Sequence, residues 1–232
     1  MKKFIFSLLF IFLCPMFAIS QGQSLVSKIY CLFLGDTDVP YEYKQMVYQA
    51  LRDFGLENPS EVSVKQMNGV GPAFARVNLS SFTAFGIWLD VRYLNKCSEE
   101  EKIFHVYHEV AHYVLNHHVK ILVGCGGVIA LLIAGLVKLH GTLGVSSAIL
   151  KETLIGGVGI LAVLAGYRYI LPYFVKKQEK QADIMAAKIL VSTGREGIVK
   201  AHIENLKKYK DSDEDALWWC TNKETIKYLE KL

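Results

Sequence analysis

Residues 108–112 read His-Glu-Val-Ala-His, and on a helix this spacing puts His108 and His112 one turn apart on one face, with Glu109 beside them. Two neutral imidazoles suit Zn2+ and leave room for a third protein ligand and a water. Zinc lowers the pKa of such a water from about 15.7 to about 7, so Glu109 can take its proton as it attacks a peptide carbonyl. The pentapeptide alone also fits an ordinary helix with surface histidines. Three neighbours argue for the chemistry: a cap signal upstream, an apolar hairpin immediately downstream, and a suitable third ligand beyond it.

That ligand is Glu179. In Glu179-Lys180-Gln181-Ala182-Asp183 the two acids stand four apart on one helical face, so Glu179 can reach one zinc ion per chain while Asp183 accepts a hydrogen bond from a ligating imidazole. Alone the pair would read as a solvated face. Glu152 and Glu204 are poorer candidates, since neither has an acid four residues on. His118 stands six residues after His112, where the pattern HExxHxxGxxH places a third histidine, but position 115 is Leu. Without glycine there, no break is expected to swing His118 to the metal. His105 and His117 lie near the ligand face and read as hydrogen-bonding or interfacial histidines; neither is needed for a complete site.

These residues need elements to position them. Ser98-Glu99-Glu100-Glu101 is a capping box, which predicts a helix from about Glu99 to His118. Before it, Tyr41 to Phe54 carries apolar residues at helical spacing and stops at Gly55. Glu61 to Val64, Ala73 to Leu79 and Ala84 to Val91 are short, β-rich runs separated by Asn68-Gly69 and Gly71-Pro72, the punctuation of a small sheet. After the HExxH helix, Ile121 to Val137 and Leu154 to Val175 are apolar runs of bilayer-spanning length joined by a linker with Lys138, His140, Gly141, Gly144 and Lys151. Small residues such as Gly127, Ala130, Ala134 and Ala162 to Gly166 suit close helix packing in a membrane hairpin. Arg168 lies towards one end, where it can snorkel beside Lys176 and Lys177 instead of paying the about 2.5–3.5 kcal/mol of a central charge. A buried hairpin in a larger assembly is the soluble alternative. Helices over Val175–Val191, ended by Ser192-Thr193-Gly194, over Glu196–Tyr209 and near Lys223–Leu232 complete the chain, with an acidic loop at Asp211–Asp215.

The 232 residues hold one catalytic unit and membrane-embedded material. A net charge of +4, scattered along a chain that is 52% hydrophobic, excludes a nucleic-acid partner and disorder and points to a lipid bilayer. Lys2 and Lys3, the apolar stretch Phe4–Phe17 and Ala18-Ile19-Ser20 read as an export signal cleaved after Ser20, with an uncleaved anchor helix as the alternative. Cys14 lacks the small residues before it that a lipid-anchor site wants. Cys31, Cys97, Cys125 and Cys220 have no CxxC spacing, which argues against a cysteine zinc site. Two of Cys31, Cys97 and Cys220 would be available for a disulfide, and Cys125 reads as a small core residue.

From Ala73 onward the chain resembles the membrane zinc metallopeptidases that include HtpX and the CAAX prenyl endopeptidases, a branch of the gluzincins. The resemblance rests on Ile87-Trp88-Leu89-Asp90, HEVAHYVLNH from His108 to His117, the apolar hairpin, EKQAD from Glu179 to Asp183, and a helical tail. It implies a mainly α fold with a small β-sheet, an α+β zincin-like catalytic domain, plus a transmembrane helical hairpin. It also implies an edge strand, here within Ala73–Val91, that pairs with an extended polypeptide substrate. The implied activity is endopeptidase action on membrane or misfolded envelope proteins. The expected organisation is 1–20 as signal or anchor, 21–118 as the first catalytic segment, 119–175 as the hairpin, and 176–232 as the second. The chain departs from the family where members often carry His-Pro: here stands Trp218-Trp219-Cys220-Thr221, and His202 is only a distant substitute. That departure motivates the alternative of a proteolytically inactive membrane adaptor that keeps its zinc site. The export signal places the catalytic domain outside a bacterial inner membrane, whereas Lys120, Lys176, Lys177 and Lys180 favour the cytoplasmic side. The export signal is followed, because Lys138 and Lys151 partly balance the linker.

Overall fold

The structure, a computed structural model, describes residues 37–67, 81–83, 86–142, 157–159, 166–208 and 220–232. The chain divides into two compact units, Met1–Val26 with Lys120–Val175 and Ser27–Val119 with Lys176–Leu232. In the second unit, four strands form one sheet in the order β1-β2-β4-β3: β1 (Thr37–Asp38), β2 (Ser63–Gln66), β3 (Ser81–Thr83) and β4 (Gly86–Leu89). β4 runs parallel to β2 and antiparallel to β3, with Ile87 opposite both Val64 and Phe82. Gly86 is where the sheet admits no side chain: a Cβ there would lie 2.5 Å from the Ser63 carbonyl oxygen. The run Ala73–Leu79 lies outside the described residues, and the first predicted strand begins later, at Ser63, because Pro59–Glu61 forms a 3-10 turn.

Helices α1 (Tyr41–Asp53), α2 (Val91–Leu94), α3 (Glu99–Val114), α4 (His117–Thr142), α5 (Leu171–Ser192), α6 (Glu196–Lys208) and α7 (Asn222–Leu229) follow the apolar periodicity closely. α3 is the axis of its unit and packs against α1, α6, β3 and β4. Val47 and Leu51 of α1, Ile87 and Leu89 of β4, Phe104, Val106 and Val110 of α3, and Ala186, Ala187 and Leu190 of α5 share one core. Burying each larger aliphatic or aromatic side chain contributes about 1.5–3 kcal/mol, so the helix carrying the histidines is held rigidly. α5 ends in Gly194 at φ 76°, with Arg195 N–H reaching back to the Leu190 carbonyl at 2.8 Å. That left-handed turn delivers Arg195 to Asp53, which also accepts hydrogen bonds from Tyr107 and, at 2.8 Å, from Gln49. The guanidinium lies 4.9 Å above the centre of the Tyr107 ring.

Three expectations are corrected here. α3 stops at Val114 instead of His118, and a new helix begins at His117 after Asn116, whose φ is 53°. The capping box at Ser98 is only half made. Ser98 Oγ accepts the Glu101 N–H at 3.3 Å, but the Glu101 carboxylate turns inward to His105 and His202. A complete capping box stands instead at Thr221 and Glu224. Cys97 and Cys220 are both free thiols, so neither takes part in a disulfide.

In the first unit, α4 continues past Val137 through Lys138 and His140 to Thr142, and a π turn at Gly166–Ile170 leads into α5. A Cβ at Gly159 would come within 3.4 Å of Leu136 Cδ1. Counting only the described residues, no helix is long and apolar enough to cross a membrane. Most of the predicted second arm, many α4 side chains, the segment read as an export signal and Asp211–Trp219 lie outside those residues.

Candidate metal centre

Ser98 starts α3 and buried Phe104, Val106 and Val110 orient it, so His108 and His112 emerge together on a face that is itself enclosed: both histidines and Glu109 are buried. The opposite wall is α5, where Ala182, Ala186 and Ala187 are fully buried. From it, Glu179 places Oε2 3.1 Å from His108 Nε2 and Oε1 3.3 Å from His112 Nε2. The two Nε2 atoms are 3.0 Å apart. Asp183, one turn after Glu179, accepts the His108 Nδ1–H at 2.7 Å. Of the predicted residues, His108, His112, Glu179 and Asp183 are thus brought together, and Glu109 is buried next to His108 on the same helix.

Among the described residues, His108, His112 and Glu179 form the one group of three ligand types whose donor atoms converge, all within 4.8 Å of one another. Bond lengths of about 2.0–2.1 Å set ligand atoms about 3.3 Å apart around a tetrahedral zinc. The observed separations of 3.0–3.3 Å therefore fit that ion. Two imidazoles and one carboxylate leave a fourth position for the reacting molecules, as in catalytic zinc sites.

The electrostatics agree with a site built for a cation. Burial disfavours a charge on His108, yet hydrogen bonds and charge from Asp183 and Glu179 outweigh it and hold the imidazole well above its usual range. Burial would raise Glu179, but His112 and His108 overcome it and keep the carboxylate ionised far below the ordinary range. Burial leaves His112 below its usual value despite Glu179. Glu109 has no comparable support: burial, with Glu179 adding and His108 opposing, pushes it up to about 8. A carboxyl poised there exchanges protons readily near neutral pH.

Two further residues complete the surroundings. Tyr228 of α7 donates to the second oxygen of Asp183 and lies 3.2 Å from Thr225 Oγ1, so α7 buttresses the carboxylate that orients His108. The Lys176–Glu224 pair at 2.8 Å and the Thr221 capping box fix α7 beside α5. His117 stands with Nδ1 2.9 Å from His112 Nδ1. Neither role is evident from residue spacing alone, although Asn116, a residue that tolerates the left-handed region, signals the helix break that turns His117 inward.

His202 does not join the centre. Its Nδ1 lies 3.2 Å from both Glu101 oxygens and its ring stacks on Phe104 at 3.7 Å, while Tyr93 and Glu101 engage His105. This is a structural tie between α3 and α6. The His118 side chain and Trp218-Trp219 lie outside the described residues.

The chain matches the family model described as Peptidase family M48 over residues 42–215, a stretch that takes in the whole centre except Tyr228. No curated protein and no solved structure matches the chain.

Proposed function

We propose, from the premise that the chain belongs to peptidase family M48, that it is a zinc-dependent endopeptidase similar to the branch that includes HtpX and the CAAX prenyl endopeptidases. Membership makes it a metallopeptidase; the observation that carries the finer reading is the convergence of His108 Nε2, His112 Nε2 and the Glu179 carboxylate. Zinc held there supplies a Lewis acid that polarises the scissile carbonyl and acidifies water. Glu109, buried next to His108, accepts the proton of the attacking water and passes it to the leaving amine. Asp183, backed by Tyr228, fixes the His108 ring so that Nε2 faces the ion.

β3 is an edge strand that packs on α3, which supports binding of an extended polypeptide by strand addition above the HExxH helix. The hairpin reading is supported by the apolar run Ile121–Val137 within the 26-residue α4, by the seat of Gly159 on Leu136, and by Val123 and Leu131, which are 58% and 75% exposed. Lipid is the natural surrounding for such side chains. The export-signal reading of the first 20 residues puts the catalytic domain on the exported face of a bacterial inner membrane, acting on membrane or misfolded envelope proteins.

The test is zinc content and cleavage of an unfolded casein-type substrate by one detergent preparation. Wild type is expected to hold one zinc and cleave; Glu109→Gln keeps the zinc and loses cleavage; Glu179→Ala loses the zinc. Zinc without turnover in wild type would favour the inactive adaptor, and undiminished cleavage by Glu109→Gln would remove that residue from its role.

A further inference from the structure

On a continuous helix, residue 117 would lie about 140° around the axis from His112, facing away from it and not near the ligand face as expected from the sequence. The chain does not continue. Leu115 closes α3 by donating to the Ala111 carbonyl at 2.9 Å, and Asn116 turns left-handed at φ 53° before α4 starts at His117. The outcome is a fully buried His117 whose ring meets His112 edge to face, with centroids 4.9 Å apart at 79°. The facing atoms are two ring nitrogens, Nδ1 of each, 2.9 Å apart. A hydrogen bond between two such nitrogens requires one proton, not two or none.

Resting on the zinc reading of His108, His112 and Glu179, we propose that His117 is a positioning residue that accepts the Nδ1–H of His112 and thereby fixes the tautomer and ring plane of that ligand. The proton count leaves one arrangement. His112 must keep the Nε2 lone pair towards Glu179 and the ion, so its proton sits on Nδ1. His117 then presents a bare Nδ1 and carries its own proton on Nε2. His108 and His112 are thus oriented by different means: the side chain of Asp183 holds the first, and an imidazole holds the second. The left-handed Asn116 is the backbone feature that makes the second support available.

The test compares His117→Leu, which fills the buried site without an acceptor, with His117→Asn, whose amide oxygen stands near the place of Nδ1. Zinc affinity is read by chelator competition on the full-length protein in detergent, with helical content as the control on folding. His117→Leu is expected to bind zinc about 10–100-fold more weakly, the usual effect of losing the hydrogen-bond partner of a ligating histidine, and His117→Asn to recover most of that loss. Equal affinity in His117→Leu and wild type overturns the proposal, and so does an equal loss in both variants, which would mean packing alone. Should His117→Leu fail to fold, the 15N spectrum of zinc-loaded wild type decides: His112 protonated on Nδ1 and His117 on Nε2 supports it, and His117 protonated on Nδ1 overturns it. Wild type that binds no zinc would instead overturn the parent reading, and this one with it.

Discussion

Glu101→Gln tests how the catalytic helix is held. Burial pushes the Glu101 carboxyl up, but hydrogen bonds and charge from His105 and His202 prevail and hold it at about 2, against 4.5 for a free side chain. A carboxyl so depressed contributes stability that is fully present above pH 4.5 and lost as the pH falls towards 2. Glutamine keeps a carbonyl for one imidazole and loses the charge assistance, at a cost of about 1.5–3 kcal/mol. For a chain of this size that lowers the melting temperature by about 3–12 °C. Part of any loss comes from removing an acid in the first turn of α3. The exposed Glu100→Gln variant measures that part alone, since Glu100 shares the turn but not the histidines. Thermal unfolding is followed at pH 7 and between pH 5 and 3 in excess chelator, so that loss of zinc on acidification does not enter. The expected result is a Glu101→Gln protein less stable at pH 7 and flatter in its acid dependence. Equal melting of Glu101→Gln and Glu100→Gln at pH 7, or parallel acid curves for wild type and Glu101→Gln, would refute the reasoning.

Asp183→Asn should weaken zinc binding about 10–100-fold while leaving the ligand set intact, because an amide no longer holds the His108 Nδ1–H as an anion does; chelator competition within about threefold of wild type would contradict this. Asp53→Asn should cost about 2–3 kcal/mol by weakening the joint hold on Tyr107, Arg195 and Gln49. A double-mutant cycle with Tyr107→Phe should show non-additivity, and strict additivity would deny the network. Gly86→Ala should loosen β4 from β2, since the new methyl meets the backbone oxygen of Ser63 at 2.5 Å; an unchanged melting temperature and unchanged amide-exchange protection at Val64 and Ile87 would count against that clash.

What the sequence discloses about this site and what it hides divide along the range of the interactions. His108, His112 and Glu109 are related by three or four residues on one helix, as are Glu179 and Asp183, so their geometry follows from helical pitch before any tertiary structure is known. That the two helices meet, with Glu179 between the imidazoles, required only that one metal demand both. Glu101 shows the reverse. The local rule offers its carboxylate the Ser98 amide, but a buried histidine 101 residues away competes and wins, because an unpaired imidazole in the core costs more than an exposed amide that water can satisfy. The break before His117 is hidden differently: the absence of glycine at 115 implies a continuous helix, whereas the next residue, Asn116, is itself able to turn left-handed. Nothing in residue spacing marks Tyr228, and its place against Asp183 follows from the Lys176–Glu224 and Thr221 contacts that seat α7. The direct ligands and Asp183, each within a helical turn of a ligand, were legible, and the supports that come from elsewhere in the fold were not. The ligands answer to an ion of fixed geometry, whereas the supports answer to whichever buried donor or acceptor folding leaves beside them.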